Sequence, residues 1–349
     1  MQAKKFFTKE LLKWNKYDND RAMPWKFEKD PYKIWISEII LQQTRVSQGL
    51  EYYNRFIKRF PTAKSIAIAP EHEVFKLWEG LGYYTRCKNI IETAKLISEK
   101  FNGIFPSDYD TILGLKGIGS YTASAIASFA FNLPYAVLDG NVFRVLSRYF
   151  GIKIPIDNPE GKKYFSELAN QLLDKKFPGV YNQSIMDFGA TICKPLPLCE
   201  VCALKSRCVA YSHGIQLQLP VKGKMIIKKS RWLYYLVVTY RNKFYIRKRI
   251  EKDIWQNLYE FILVETLKPI TLKKLQTAEP FTSIVQANDG QIQSISQRYK
   301  QQLTHQTING QFINIKVRSP LNLNNYKLAS VDEIKQLPFP KFITTYLKD

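Results

Sequence analysis

The chain has 349 residues, 45% of them hydrophobic, and carries 52 Lys+Arg against 30 Asp+Glu for a formal net charge of +22. That length accommodates two domains with cores of their own, and the apolar content excludes a disordered chain. The positive charge is spread along the sequence rather than gathered in a tail, which points to a broad surface for an anionic partner, above all nucleic acid.

Residues up to about 210 read as helical. Met1–Phe7 lacks the apolar stretch of a secretory signal, and no apolar run is long enough to span a membrane, so the expected compartment is the cytoplasm. Tyr32 to Gln48 places Ile36, Ile39, Ile40 and Val46 at helical intervals. Glu38 falls among these apolar residues. Desolvation there raises a carboxyl pKa and suits it to general-acid work, although a salt-bridged helix glutamate has the same local sequence. Phe75 to Leu81 and Asn89 to Phe101 continue the helical pattern, interrupted by Gly82 and closed by Gly103 and Pro106.

Leu113-Gly114-Leu115-Lys116-Gly117-Ile118-Gly119-Ser120-Tyr121 sets paired glycines between two helical stretches. The glycines permit a tight turn, and the backbone N–H groups of Gly117, Gly119 and Ser120 can then meet a phosphate at the start of the next helix. An ordinary helix connection would use the same residues. Asp139 precedes an amphipathic helix marked by Val142, Val145, Leu146 and Tyr149, where N-capping is its ordinary role. Four of the five cysteines then fall in one stretch, Cys193, Cys199, Cys202 and Cys208, spaced C-x5-C-x2-C-x5-C. The spacing suits one metal centre rather than disulfides, and by itself admits either zinc or a [4Fe–4S] cluster.

After Cys208 the character changes. His213 to Ser230, with Pro220, Gly223 and several lysines, reads as a linker. Trp232 to Tyr240 and Phe244 to Ile246 form a strand pair turned by Arg241-Asn242. Leu258 to Val264 is another strand, and Asn309-Gly310 predicts a hairpin. Residues 286–302 are polar and Gln-rich and read as a mobile loop. No internal repeat is present.

Taken in order, these motifs resemble the endonuclease III superfamily of DNA glycosylases, and within it the MutY family of adenine glycosylases. Pro24-Trp25, Ser37-Glu38 with Leu41-Gln42-Gln43-Thr44, Trp78-Glu79-Gly80-Leu81-Gly82-Tyr83-Tyr84 and Leu138-Asp139-Gly140-Asn141-Val142 carry the resemblance. It spans residues of about 6 to 210, and continues with fewer matches to about 345. It implies two domains. Residues 1–212 form an all-α helix-hairpin-helix glycosylase domain, with the hairpin at about 111–123 and an iron–sulfur loop at 193–208. A linker covers 213–230, and an α+β Nudix-like domain that senses 8-oxoguanine covers 231–349.

The implied activity is removal of adenine mispaired with 8-oxoguanine or guanine in double-stranded DNA, by a cytoplasmic monomer that in a bacterium lies on the nucleoid. The base must leave the stack, and its loss gives a cation-like sugar that calls for one acid and one carboxylate. By family position Glu38 is the acid and Asp139 the carboxylate, with Asn141 and Tyr121 placing them. Trp25 and Lys26 line the base pocket. Gln43 and Tyr83 wedge into the duplex. Lys116, Gly117, Gly119 and Ser120 meet phosphate. Thr304 and His305 touch 8-oxoguanine, and the four cysteines hold a [4Fe–4S] cluster. Tyr121 occupies the place of the lysine that makes related enzymes strand-cutting lyases, and a phenol forms no imine, so a monofunctional enzyme is implied.

Three departures stand out: Lys116 replaces a proline, Leu303 replaces an aromatic, and the first cysteine gap is one residue short. No Nudix hydrolase box is present. The alternatives are a pyrimidine glycosylase of the same superfamily, and an inactive DNA-binding relative with zinc on its cysteines.

Overall fold

The structure is a computed structural model that describes residues 2–223, 228–286 and 289–349. The described residues fall into two units. One runs to Ala67 and from Glu92 to Gly223. The other comprises Ile68–Ile91 and the residues from Lys228 onward. The segment 68–91, expected with the helical domain, thus clusters with the C-terminal part. Within that unit Glu79 Oε1 accepts from the amide of Phe339 at 2.8 Å, and Lys76 donates to the Leu337 carbonyl at 3.0 Å.

The first unit is helical. Asp30 caps helix Pro31–Leu41 by accepting from the Tyr32 amide at 2.9 Å, with Pro31 fitting the first turn. Nearly every residue from Tyr32 to Ile40 is buried, including Ser37 and Glu38. The single helix expected over 32–48 is two. Gln42-Gln43-Thr44 offers no apolar face to continue it, Gln43 turns left-handed at φ 57°, and a new helix runs from Val46 to Arg59.

Helix Ser120–Phe131 is built of small residues, and Thr122–Ser128 are all buried. Helix Gly140–Phe150 starts on the Asp139 cap, which accepts from the Val142 amide at 2.7 Å, and ends at Gly151 with φ 69°. Its apolar face joins a core of Phe7, Leu11, Trp14, Val145, Phe165 and Phe188. Residues 213–223 of the expected linker pack into this unit: Leu219 is buried, and the Val221 carbonyl accepts from the Ile156 amide. Residues 224–227 of that linker lie outside the described residues.

The second unit contains a mixed sheet. Strand Lys229–Tyr240 runs parallel to Gln306–Lys316 and antiparallel to Ile262–Thr266. It also pairs with Lys243–Lys248 through Arg241 and Asn242, both left-handed, as the hairpin reading expects. Asn309-Gly310 makes no turn. It lies inside strand Gln306–Lys316, where Gly310 faces Leu233. A Cβ on Gly310 would stand 1.9 Å from the Leu233 carbonyl oxygen, so this glycine serves close approach of two strands. The stretch read as a mobile loop over 286–302 contains two strands, Gln291–Ile295 and Tyr299–Gln302, both paired with Gln306–Lys316. Residues 287 and 288 of it lie outside the described residues. Gly310→Ala is expected to destabilise the protein by about 3 kcal/mol, because backbone cannot yield as a side chain can; urea unfolding followed by tryptophan fluorescence reads the loss.

Candidate active site

A cavity of about 390 Å³ opens within the first unit, lined by Trp25, Lys26, Glu38, Gln43, Tyr121, Asp139 and Asn141, among others. Seven residues singled out from the sequence therefore meet in one place. Glu38 is only 7% exposed. Burial pushes its carboxyl up to about 7; the Tyr121 hydrogen bond works the other way, and the Asp139 charge adds to the rise. Tyr121 donates its hydroxyl to Glu38 Oε2 at 2.7 Å, and burial keeps that phenol far from ionising.

Asp139 is also raised by burial, but three groups oppose the rise. The Val142 amide donates to Oδ1 at 2.7 Å, Asn141 Nδ2 donates to Oδ2 at 2.8 Å, and the Arg144 charge lies nearby. The two carboxyls thus differ in surroundings: Glu38 sits among apolar neighbours with one hydroxyl donor, whereas Asp139 is met by an amide, a side-chain donor and a nearby charge, each of which favours its ionised form against burial. An acid and an anion on one cavity can protonate a leaving group and steady a developing cation.

Arg144 extends the arrangement outward. Its Nη2 donates to Asn141 Oδ1 at 2.8 Å and to the Gly189 carbonyl at 2.7 Å, while Nε donates to the Cys193 carbonyl at 2.8 Å. Arg148, one helical turn on and 3% exposed, donates to the carbonyls of Lys194, Pro195 and Gln216 at 2.7, 2.9 and 2.8 Å. The two arginines bind the cysteine loop to the helix that carries Asp139. Sequence reasoning missed both. The available signal was a pair of arginines four apart on a helix whose other inward residues are apolar.

Asp187 was missed as well. It is fully buried, and it takes Arg21 at 2.7 Å, Lys26 at 3.1 Å, and hydrogen bonds from Asn19 and Gln183 at 3.0 and 2.9 Å. It fixes the wall of the cavity that includes Lys26.

The four cysteines line a second, smaller cavity together with Arg148 and Gln216. Among the described residues no group of three or more His, Cys, Asp or Glu side chains is gathered so as to hold a metal ion. The hairpin forms as expected, between helices Tyr109–Gly114 and Ser120–Phe131, with Gly117 at φ 78°. Lys116, expected at phosphate, is ion-paired with Glu92. Its turn is held from beneath by Thr93, whose hydroxyl donates to the Lys116 carbonyl at 2.9 Å. In the second unit Tyr83 is left-handed at φ 48° and half exposed, and its hydroxyl is hydrogen-bonded to that of Thr304. His305 is exposed beside it in sequence.

Residues 36–171 match the model of the HhH-GPD superfamily base excision DNA repair proteins, and residues 233–349 match a NUDIX domain. The adenine DNA glycosylase of Buchnera aphidicola subsp. Baizongia pistaciae is 39% identical over 311 residues, covering 86% of this chain and 84% of that protein. The chain belongs to the adenine DNA glycosylase family. The human adenine DNA glycosylase is 38% identical over 230 residues, which cover 63% of this chain and 42% of that protein. Among solved structures, a thermostable thymine-DNA glycosylase aligns with TM-score 0.57 and 31% identity over 61% of this chain and 98% of its own. A non-covalent endonuclease III–DNA complex aligns with TM-score 0.53 and 21% identity over 61% of this chain and 96% of its own, a likeness of fold. A member of the adenine glycosylase family is a DNA N-glycosylase, a hydrolase. Arg148→Met strands several buried carbonyls and is expected to lower stability by about 3 kcal/mol, a fall that a urea midpoint measures.

Proposed function

We propose that this protein excises adenine mispaired with 8-oxoguanine or guanine from duplex DNA, as a monofunctional glycosylase that leaves an abasic site. The observation that carries the reading is the buried Glu38 carboxyl, raised to about 7 and hydrogen-bonded by Tyr121, on the same cavity as the Asp139 carboxyl. The extruded adenine enters this cavity. Glu38 delivers its proton to N7 of the base, the N-glycosidic bond lengthens, and the Asp139 carboxylate stabilises the positive charge that grows at C1′. Asn141 holds Asp139 at 2.8 Å, and Tyr121 holds Glu38 at 2.7 Å. Trp25 and Lys26 shape the pocket, while Gln43 and Tyr83 enter the duplex near the orphan base. Water then adds to C1′ and gives up a proton to the Glu38 carboxylate, so the products are neutral adenine and an abasic sugar. With Tyr121 in place of a lysine, no imine forms and the strand stays intact.

The match to a NUDIX domain and the Tyr83–Thr304 pairing support sensing of 8-oxoguanine by the second unit, with Thr304 and His305 at the contact. The four cysteines line one cavity, and thiolates are the donor type that a [4Fe–4S] cluster takes; when bound, it would cross-link a loop that also carries Lys194, Lys205 and Arg207. Lys116 meets phosphate by leaving Glu92. A thymine-DNA glycosylase among the structural neighbours keeps a pyrimidine target as the second reading.

Single-turnover cleavage of a labelled duplex with adenine opposite 8-oxoguanine tests the proposal. Breaks are expected only after hot alkali. Breaks without alkali would overturn monofunctionality, and product only from thymine mispairs would select the second reading.

Because the acid form of Glu38 is the active one, the excision rate is expected to fall as pH rises through about 7. Glu38→Gln should slow excision by roughly 10²–10⁴-fold while leaving duplex binding in place. A carboxyl raised above its unfolded value binds its proton more tightly in the folded state, so its contribution is lost as pH rises through about 7. Glu38→Gln is therefore expected to be more stable than the parent at pH 8, by about 1–3 kcal/mol, and not at pH 5. Equal melting temperatures at both pH values would contradict a buried acid.

A further inference from the structure

Phe27 is 82% exposed, and its backbone is left-handed at φ 73°. A bulky L residue pays for that conformation, and such strain survives only where the surroundings impose it. Here the imposition is visible on both sides. Lys26, one residue before, is fixed by Asp187 at 3.1 Å and by the Arg21 carbonyl at 2.9 Å. Lys29, two residues after, donates to the Phe129 carbonyl at 2.8 Å. Between them, Glu28 accepts from the amides of Lys29 and Asp30 at 2.9 and 3.0 Å, and the Glu28 amide donates to the Trp25 carbonyl at 3.1 Å. The loop is a bracket with one side chain outside it. Trp25 is turned inward, edge-on to Tyr53 at 5.4 Å, whereas the Phe27 ring stands largely in solvent on the lining of the same cavity, with Lys26 Nζ over the ring at 5.7 Å from its centroid.

We propose that Phe27 is a positioning residue that stacks on the extruded purine nucleotide at the mouth of this cavity. An aromatic face is the side-chain chemistry that holds an unpaired base without reading its edges. A rigid loop presents that face with little entropy to lose on contact. The role is capture of the flipped nucleotide; the proton and charge chemistry stays with Glu38 and Asp139. This inference rests on the reading that adenine enters the cavity.

The test compares the full-length parent with Phe27→Ala and Phe27→Tyr, on a duplex with adenine opposite 8-oxoguanine under single-turnover conditions. In Phe27→Ala the half-saturating enzyme concentration is expected to rise about tenfold, within the range for loss of one base–aromatic stack, and to change more than the saturated rate does. Phe27→Tyr restores it. A duplex with 2-aminopurine in place of adenine gives a second reading: the parent and Phe27→Tyr quench its fluorescence on binding more than Phe27→Ala does. If Phe27→Ala matches the active parent within twofold, or if Phe27→Tyr fails to restore the loss, stacking by Phe27 is wrong while the proposed activity stands. If the parent itself releases no adenine, the activity and the inference fall together.

Discussion

The site turns on keeping one carboxyl out of water. Glu38 would ionise at an ordinary glutamate value on any exposed helix, and an ionised Glu38 has no proton to give. Helix Pro31–Leu41 prevents this by being buried almost all round, so that Glu38 has Ile36, Ile39 and Ile40 for neighbours in the chain. The facing helix, Ser120–Phe131, is rich in Ala and Ser, and close approach brings Tyr121 within 2.7 Å of the acid. A hydrogen bond donated to the carboxylate favours ionisation, yet burial outweighs it and the carboxyl remains raised.

Asp139 is the counterpart, and its handling is the reverse. It too is buried, but the helix it caps gives it a backbone amide, and Asn141 and Arg144 add a side-chain donor and a charge. The N-cap that explains Asp139 structurally thus also favours its ionised form, against the burial that raises it. Arg144 gathers carbonyls from Gly189 and Cys193 on the way, so the carboxylate and the cysteine loop share one set of hydrogen bonds.

Much of this was legible in the sequence because the relevant residues sit in long local motifs. Glu38 and Asp139 stood out in their own neighbourhoods, Tyr121 and Asn141 through the motifs that carry the family resemblance, and the structure brings all four to one cavity. What escaped was long-range. Arg144, Arg148 and Asp187 act on residues roughly 45–165 positions away, and their own neighbourhoods do not say which. Asn309-Gly310 failed for another reason. A glycine that permits a turn and a glycine that permits two strands to touch look alike until the partner strand is known. The helix break at Gln43 was hidden because the apolar spacing on either side of it happens to stay in phase.

Gly189 meets Asn141 backbone to side chain: a Cβ at Gly189 would lie 2.7 Å from the Asn141 Cβ. The helices Gly140–Phe150 and Pro178–Thr191 therefore cross with no soft layer between them. The position of Asn141, which holds the Asp139 carboxyl, is therefore backed by main chain, which is stiff, and not by another side chain. A cavity wall fixed in this way is shaped before any ligand arrives. The tightness of one helix crossing thereby decides where a residue on the cavity wall can stand.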